Sequence, residues 1–358
     1  MHFFMPSNFF WNNTAGYFMF IGLGLFIFIS GLLIDLNNSE KIKSFSDIFL
    51  FYKKRAIRIL PLNWASIFLF VSFTFIFVPA LFPNFSVYYP KVTINILWVF
   101  SQLIGLQLLI QNFGSFLWFV GLIAICYFIY PVLIKFSKNI IHLIIISFLP
   151  LLVFGLLRLK FGMIDDRLFY YYMIFIGGIV ANKLNENWNS CSYKKIILFL
   201  SITMGFSFIY LWRGVQQYFF NIPSINFVIH NIFVFDIAVI SGCMFLLLLV
   251  NRNRMNSLLK KCESIITFLA VSSYCVYLFH FQIFTIGAGL IEVLKLPAIV
   301  NDVLFYTIVI PATFVLSYYV QIKEKKFMNK LKGYYLSITS KKRNNYPCER
   351  TLLQERSS

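Results

Sequence analysis

Charged residues are scarce in this chain of 358 residues: they make up 12% of it, whereas hydrophobic residues make up 59%. A soluble domain carries about 25% charged residues, which cover its surface. This composition would leave most of a water-exposed surface apolar, so it excludes an ordinary soluble protein. Lipid is therefore the expected solvent for most of the chain, whose mean hydropathy is +0.78.

Acidic residues are scarcer still. The sequence holds 13 Asp and Glu against 31 Lys and Arg, which gives a formal net charge of +18. Such a charge can indicate nucleic-acid binding, but the basic residues here flank apolar runs and crowd the C-terminus. Because the cytoplasmic leaflet of a membrane is anionic, this placement is typical of a membrane protein. We predict membrane lipids as partners and no nucleic acid.

Cysteine pairs with the spacing of metal or redox motifs are also absent. The six cysteines are scattered, at positions 126, 191, 243, 262, 275 and 348. They predict neither a zinc site nor a disulfide framework, and we expect no metal. The N-terminus lacks a basic segment and a small-residue cleavage site, so it does not resemble a signal peptide.

What the chain has instead is ten apolar runs of spanning or nearly spanning length. They lie at 15–34, 62–82, 94–112, 116–134, 140–157, 168–182, 195–213, 226–250, 265–285 and 301–321. Alternation with a period of two is absent, so helices rather than a barrel are expected to satisfy the backbone in lipid. We predict an all-α polytopic membrane helix bundle of about nine to ten spans.

The distribution of basic residues predicts the orientation. If every run crosses and residues 35–61 are cytoplasmic, most Lys and Arg lie outside. If residues 94–112 do not cross, 25 of the 31 lie inside, which agrees with the positive-inside rule. We predict that 94–112 is re-entrant or interfacial, with its polar residues Asn95, Ser101, Gln102 and Gln107 facing protein. The alternative, that a neighbouring run fails to cross, stays open.

This orientation divides the chain into two predicted parts. Residues 1–321 form a membrane domain. Residues 322–358, which hold ten Lys and Arg, form a mobile basic tail in the cytoplasm, held near anionic lipid.

A basic cluster separates the first two apolar runs. It contains Lys53, Lys54, Arg55 and Arg58 and is followed by Pro61. Arg55 and Arg58 are three residues apart, so they share one face of a helix. Two guanidiniums on one face can clamp a phosphorylated ligand. The alternative is a plain orientation signal beside a span, which the residues alone favour.

Five segments together resemble the acyltransferase-3 family of integral membrane acyltransferases. They are FIFISGLLI (26–34), KKRAIRILPLNW (53–64), LWFVGLIAICYFIYPVLI (117–134), RLFYYYMIFIGGIVANK (167–183) and SSYCVYLFHFQIF (272–284). Each motif alone is weak, but they follow the family's order and cover nearly the whole chain.

The resemblance implies an activity. Members transfer an acyl group, commonly acetyl, from acyl-CoA to an acceptor such as a sugar hydroxyl of a surface glycan or lipid-linked sugar. The expected partners are therefore acyl-CoA, as donor substrate rather than tightly bound cofactor, and a carbohydrate acceptor. The expected location is the cell (plasma) membrane, with the C-terminal tail in the cytoplasm.

The resemblance also assigns roles to residues. Arg55 and Arg58, with Lys54 beside them, are expected to bind the phosphates of coenzyme A. His280, of the Tyr-Leu-x-His helix, is expected to be catalytic, as is Arg167. The alternative for Arg167, without the resemblance, is a solvated loop residue in a local ion pair. His2 lies about where the family has its first-helix His, and it is the third expected catalytic residue.

Two departures from the family stand out. The family's first helix carries an Arg about ten residues before that His, so a helix upstream of Met1 is expected. Ile123 stands where the family usually has Glu. A truncated, inactive paralogue is therefore one alternative function. A transporter or flippase for a lipid-linked oligosaccharide is another, although we find no internal repeat of the kind such proteins often show.

The remaining polar residues carry weaker predictions. Asp236 is the only carboxylate that the runs place well inside a span, and such a group is expected to be partnered or protonated. Asp165 and Asp166 are expected to form a solvated outer cluster. His142 and His230 are assigned to structure, and the Gly177–Gly178 pair to close helix contact.

Overall fold

The computed structural model describes residues 9–72, 96–109, 117–185, 201–203, 205, 236–245, 260–261, 263–294 and 297–344. Every regular element in these ranges is a helix, as the absence of period-two alternation predicts. The chain divides into two compact units, Met1–Cys262 and Glu263–Ser358. Each unit is described separately below.

The first unit contains seven described helices. They are α1 Phe9–Asn38, α2 Phe45–Ser72, α3 Ile96–Ile104, α4 Trp118–Phe136, α5 Ile140–Phe161, α6 Asp166–Asn185 and α7 Asp236–Phe245. Local sequence sets the ends of α5: the Asn139 side chain accepts a hydrogen bond from the His142 amide at 2.8 Å, and Gly162 ends the helix with φ 61°. Helices α2 and α4 pack side by side, as do α4, α5 and α6.

The second unit contains α8 Glu263–Val293, α9 Ala298–Leu304, a π-helical turn Phe305–Val309, and α10 Ile310–Asn344. The Ile310 amide, directly after the π turn, donates to the Phe305 carbonyl, five residues back. The next residue, Pro311, has no amide hydrogen, so it cannot donate the α-helical hydrogen bond to the residue four positions earlier. Helix α10 continues through residues 321 and 322, so residues 322–344 of the predicted tail are helical.

Among the described residues, six helices are long and apolar enough to cross a membrane. They are Gly22–Lys41, Phe45–Ser72, Trp118–Phe136, Ile140–Phe161, Glu263–Ile291 and Phe305–Lys330. Large apolar side chains on them face outward; Phe68 and Leu159 are 71% and 86% exposed, as helices in lipid require. The membrane helix class is confirmed for the described residues. A total of nine to ten spans stays a prediction, since 195–213 and 226–250 lie mostly outside these residues.

The described part of segment 94–112, residues 96–109, contains one short helix. Helix α3 has nine residues and is about 14 Å long, less than half the thickness of a bilayer. It ends at Gly105, whose φ is 74°. This agrees with the prediction that the segment is not a crossing helix.

Two glycines bring α1 and α6 into backbone contact. A Cβ added to Gly178 would lie 2.1 Å from the Phe28 carbonyl oxygen, and one added to Gly31 would lie 2.2 Å from the Phe175 carbonyl oxygen. Neither carbonyl can yield as a flexible side chain would. The close helix contact predicted for the Gly177–Gly178 pair is therefore present at Gly178.

Gly178→Ala should destabilise the protein, because the added methyl group forces α1 and α6 apart. Overpacking of this kind costs about 1–3 kcal/mol. The matched control is Gly155→Ala in α5, where nothing lies within 4 Å of an added Cβ. Thermal unfolding in detergent should show a lower Tm for Gly178→Ala alone; equal values for both variants would contradict the backbone contact.

The two ends of α5 test the predicted orientation. Lys138 precedes α5 and Lys160 lies in its last turn, and both are exposed. In a background without other cysteines, Lys160→Cys should react with an impermeant maleimide on intact cells. Lys138→Cys should react only after permeabilisation. Reaction of both from the same side would overturn the orientation.

Candidate functional site

Helix α4 carries two groups of polar and aromatic residues. Tyr127 lies at the middle of the helix and Tyr130 about one turn further on, whereas Trp118 is its first residue. Nine residues separate Trp118 from Tyr127, a distance of about 14 Å along the helix. We call the two groups the Arg55 cluster and the Arg167 cluster after the cation in each.

The Arg55 cluster joins α2 to α4. The Arg55 guanidinium lies over two rings, with its central carbon 5.2 Å from the centre of the Tyr127 ring and 5.5 Å from that of Phe51. Arg58 interacts electrostatically with both Arg55 and Tyr127. The two guanidiniums therefore share one face of α2, as their spacing predicts. Arg55 is half-buried and Arg58 is exposed.

Neither Arg55 nor Arg58 forms an ion pair with another described residue. Both ion pairs found among the described residues lie elsewhere, near the start of α6. Arg55 and Arg58 repel each other, and Lys54, which precedes them, is exposed. An anionic ligand bound here would relieve this repulsion.

A buried carboxylate adjoins this cluster. Asp35 is 0% exposed, and its Oδ1 accepts a hydrogen bond from the Tyr130 hydroxyl at 3.2 Å. Its Oδ2 accepts another from Asn182 Nδ2 at 2.9 Å. The network ties α1, α4 and α6 together, and the Tyr130 ring packs on Phe51 with centroids 5.6 Å apart.

Asp35 is a buried carboxylate inside a candidate span that the sequence did not predict. Asp236 was expected to be the only carboxylate well inside a span, but Asp35 lies in the candidate span Gly22–Lys41. It directly follows the apolar run 15–34 and resembles a boundary residue in the sequence. A helical face shared with Gly31, four residues earlier, is the signal that would have placed it in the bundle.

The Arg167 cluster lies at the N-terminal end of α4. Asp165 accepts hydrogen bonds from the Arg167 backbone amide at 2.9 Å, from Nε at 2.7 Å and from Nη2 at 2.5 Å. The guanidinium so fixed lies over Trp118, 4.8 Å from the ring centre. The Trp118 ring stacks on Tyr171, with centroids 5.5 Å apart. The cluster therefore presents an oriented cation on an aromatic base.

Asp165 is ionised in this setting. Burial raises the pKa of its carboxyl, but the hydrogen bonds and charge of Arg167, with a smaller contribution from Arg158, lower it more. The net pKa lies below the ordinary value of an aspartate. A second ion pair, between Arg158 and Asp166, adjoins the first. The expected acidic outer cluster is thus a pair of ion pairs.

The loop before Arg167 is strained. Ile164 has φ 78°, a conformation that β-branched residues rarely adopt, and it is buried. The Ile164 amide donates a hydrogen bond to the Leu109 carbonyl at 3.4 Å, and the Asp165 amide donates one to the Leu108 carbonyl at 2.9 Å. Strain of this kind persists where surrounding structure enforces it, and it is common at functional sites.

Residues 96–109, which comprise α3 and the turn after it, supply that enforcement. The polar side chains Ser101, Gln102 and Gln107 are buried, as predicted for a segment that faces protein; Asn95 lies outside the described residues. Gln107 Nε2 donates to the Leu117 carbonyl at 2.6 Å, and Asn63 Nδ2 of α2 donates to the Gln102 carbonyl at 3.0 Å. The segment therefore packs at the N-terminal end of α4.

His280 belongs to the second unit. Its Nδ1 lies 2.7 Å from the Tyr277 carbonyl oxygen. A carbonyl only accepts, so Nδ1 carries the proton and the lone pair of the neutral ring is on Nε2. The ring contacts those of Tyr277 and Phe284, and Phe284 contacts Phe305 in the π turn.

Helix α8 extends beyond the apolar run 265–285 and continues to Val293. His280 therefore lies well inside the helix. Of the other predicted residues, His2 lies outside the described residues, and Ile123, where the family usually has Glu, is buried in α4 and 7% exposed.

Comparison with known proteins gives one match. The sequence profile of a protein family described as an acyltransferase domain matches residues 1–322, which is most of the chain. No curated protein and no solved structure matches significantly.

Proposed function

We propose, because the chain belongs to the acyltransferase-3 family, that it transfers an acyl group, acetyl in the first instance, from acyl-CoA to a sugar hydroxyl of a surface glycan or lipid-linked saccharide. The hydroxyl oxygen attacks the thioester carbonyl carbon and the carbon–sulfur bond breaks. The hydroxyl proton passes to a base, and coenzyme A leaves as the thiolate. The products are an ester and free coenzyme A.

The observation that carries this proposal is the pair of guanidiniums in the Arg55 cluster, neither of which forms an ion pair with a described residue. Coenzyme A is a polyanion with a diphosphate and a further phosphate, and a guanidinium fork binds phosphate oxygens in pairs. Arg55, held over Tyr127 and Phe51, is the oriented member of the clamp. Arg58 and Lys54 add charge from exposed positions.

The Arg167 cluster supports the acceptor side of the proposal. Two nitrogens of Arg167 are engaged by Asp165, whereas Nη1 is not. An oriented cation of this kind can stabilise the oxyanion that develops when the hydroxyl attacks. The cluster lies at the N-terminal end of α4, about 14 Å along the helix from Tyr127 of the Arg55 cluster, so the donor and acceptor would contact different parts of α4.

The proposed base is His280, with His2 as a second proposed catalytic residue. Histidine titrates near neutral pH and can both take and return a proton. The tautomer that Tyr277 fixes puts the accepting lone pair on Nε2. The location proposed for the protein is the cell membrane, with the C-terminus on the cytoplasmic side.

Inside-out membrane vesicles provide the test. Vesicles with the protein, given acetyl-CoA labelled in the acetyl group, should incorporate alkali-labile label into the carbohydrate fraction; vesicles without it should not. Movement of a lipid-linked saccharide with no incorporation of label would favour the transporter instead.

A further inference from the structure

We propose that Phe305, the first residue of the π turn, is a positioning residue for the His280 ring and acts on it through the Phe284 ring. The inference rests on the proposed function, because it concerns the base of that reaction. It uses only the second unit of the chain. In the proposed reaction, Phe305 keeps the accepting Nε2 of His280 pointing in one direction.

The hydrogen bond of His280 fixes its tautomer but not the direction of Nε2. Nδ1 donates to the Tyr277 carbonyl at 2.7 Å. The outer torsion of a histidine side chain has a broad energy well, so the ring can still swing about this bond. The packing of neighbouring rings therefore has to set the direction. The Phe284 ring lies edge-to-face with that of His280, with centroids 5.7 Å apart.

The π turn packs on the face of α8 that carries His280. Phe284 and Gly287 follow His280 by four and seven residues, so all three share that face. The Phe305 ring meets the Phe284 ring with centroids 5.2 Å apart. At the other end of the turn, a Cβ added to Gly287 would lie 2.6 Å from a methyl carbon of Val309. Both ends of the π turn therefore contact this face.

The contacts in this chain of rings depend on orientation. The planes of His280 and Phe284 make an angle of 78°, and those of Phe284 and Phe305 an angle of 69°. Aromatic rings favour such edge-to-face arrangements, because the positive edge of one ring meets the negative face of the other. An aliphatic side chain would fill the space without favouring one orientation of Phe284. This dependence on orientation distinguishes positioning from simple filling of space.

The backbone of the π turn is a second observation that points to this place. Single π-helical turns inside longer helices are rare, and they occur frequently at functional sites. Here the turn lies between α9 and α10, and its first residue contacts the neighbour of the proposed base. The unusual backbone and the directional ring contacts thus coincide.

Phe305→Leu tests the inference, because it keeps an apolar side chain and removes the ring. At saturating acetyl-CoA, kcat for transfer of label should fall about 10-fold, since a small misplacement of a catalytic group slows the reaction. The KM for acetyl-CoA should stay within about threefold of wild type. Phe305→Tyr keeps the ring and should retain kcat within about threefold. If Phe305→Leu does not reach the membrane, Phe305→Met makes the same comparison.

Phe268→Leu is the matched control. The ring pair of Phe268 and Tyr318, with centroids 5.0 Å apart, also joins α8 to α10. Phe268 is half-buried, as Phe305 is, but it precedes His280 by 12 residues. Both leucine variants should lower the Tm in detergent by similar amounts, because each loses one ring contact. Only Phe305→Leu should lower kcat.

The second measurement does not depend on activity. The chain has four histidines, so nitrogen-15 labelling of histidine gives few ring signals in nuclear magnetic resonance spectra of the protein in detergent. His280→Ala identifies the signal of His280. That signal should shift or broaden in Phe305→Leu and stay in place in Phe268→Leu.

A double variant tests the route through Phe284. Because Phe305 acts through Phe284, Phe284→Leu combined with Phe305→Leu should lower kcat no more than Phe284→Leu alone. Losses that multiply would overturn the inference. A kcat of Phe305→Leu within threefold of wild type, an equal loss in Phe268→Leu, or an unchanged His280 signal would do so too. If wild-type vesicles transfer no label, the proposed function fails and the inference with it; an active wild type with an unaffected Phe305→Leu removes the inference alone.

Discussion

Arg55→Ala should lower kcat/KM for acetyl-CoA about 100-fold, mainly by raising KM. A charge-assisted hydrogen bond contributes about 1.5–3 kcal/mol, and about 2.7 kcal/mol corresponds to a factor of 100. The guanidinium of Arg55 is fixed over Tyr127 and Phe51 before any ligand binds, so little entropy opposes those bonds. The measurement is label transfer in inside-out vesicles over a range of acetyl-CoA concentrations.

Two variants control for this result. Lys53→Ala removes an exposed cation two residues earlier in α2 and should stay within about threefold of wild type, because exposed charges are screened. Arg55→Lys keeps the charge without the planar fork and should be intermediate. If Arg55→Ala retains the wild-type KM while the protein remains in the membrane, the clamp is wrong.

His280→Ala should lower kcat about 1,000-fold, within the range that general acid–base catalysis contributes. The KM for acetyl-CoA should change little, because the phosphates are bound elsewhere in the proposal. The variant leaves the Tyr277 carbonyl without its side-chain donor, so a Tm measured in detergent must accompany the rates. Label transfer at saturating acetyl-CoA is the measurement.

The control for His280 is another histidine. His142→Ala, near the start of α5 and exposed, should leave kcat unchanged. Activity of His280→Ala within about tenfold of wild type would remove His280 from the mechanism. A loss of kcat restored by millimolar imidazole would strengthen the assignment, because a small base can occupy the space left by the ring.

The membrane helices and the shared face of Arg55 and Arg58 could be predicted from the sequence, because both depend on local spacing. A run of about 20 apolar residues needs no distant partner to identify it as a candidate span. Residues three apart on any helix are neighbours. The close contact at Gly178 was predictable for the same reason, since small residues mark helix contacts in lipid.

The ends of helices were harder to predict where they leave the apolar run. Helix α2 begins at Phe45, whereas the run begins at 62, and α10 continues to Asn344. In both places the residues beyond the run are more polar but still helix-forming, and Pro61 lies inside α2 without ending it. Hydropathy identifies the most apolar part of a helix and does not show how far the helix continues beyond that part.

The polar network around Asp35 depends on contacts that no local pattern contains. Its partners Tyr130 and Asn182 are 95 and 147 residues away. The same holds for Arg167, whose stacking on Trp118 joins two helices. For Asp236 the sequence predicted a partnered or protonated group, and no hydrogen-bond partner exists among the described residues.

Pro61 divides α2 into two parts with different restraints. Because proline has no amide hydrogen, the Ile57 carbonyl receives no bond from it, and the helix is most easily bent there. Beyond Pro61, the side chains of Asn63 and Trp64 fasten α2 to the carbonyls of Gln102 and Leu103. Before it lies the turn that bears Arg55. That turn is held to α4 instead, where the Tyr52 hydroxyl donates a hydrogen bond to the Phe128 carbonyl at 2.7 Å. The two parts of α2 therefore have different neighbours, and Pro61 is the position at which the angle between them can change.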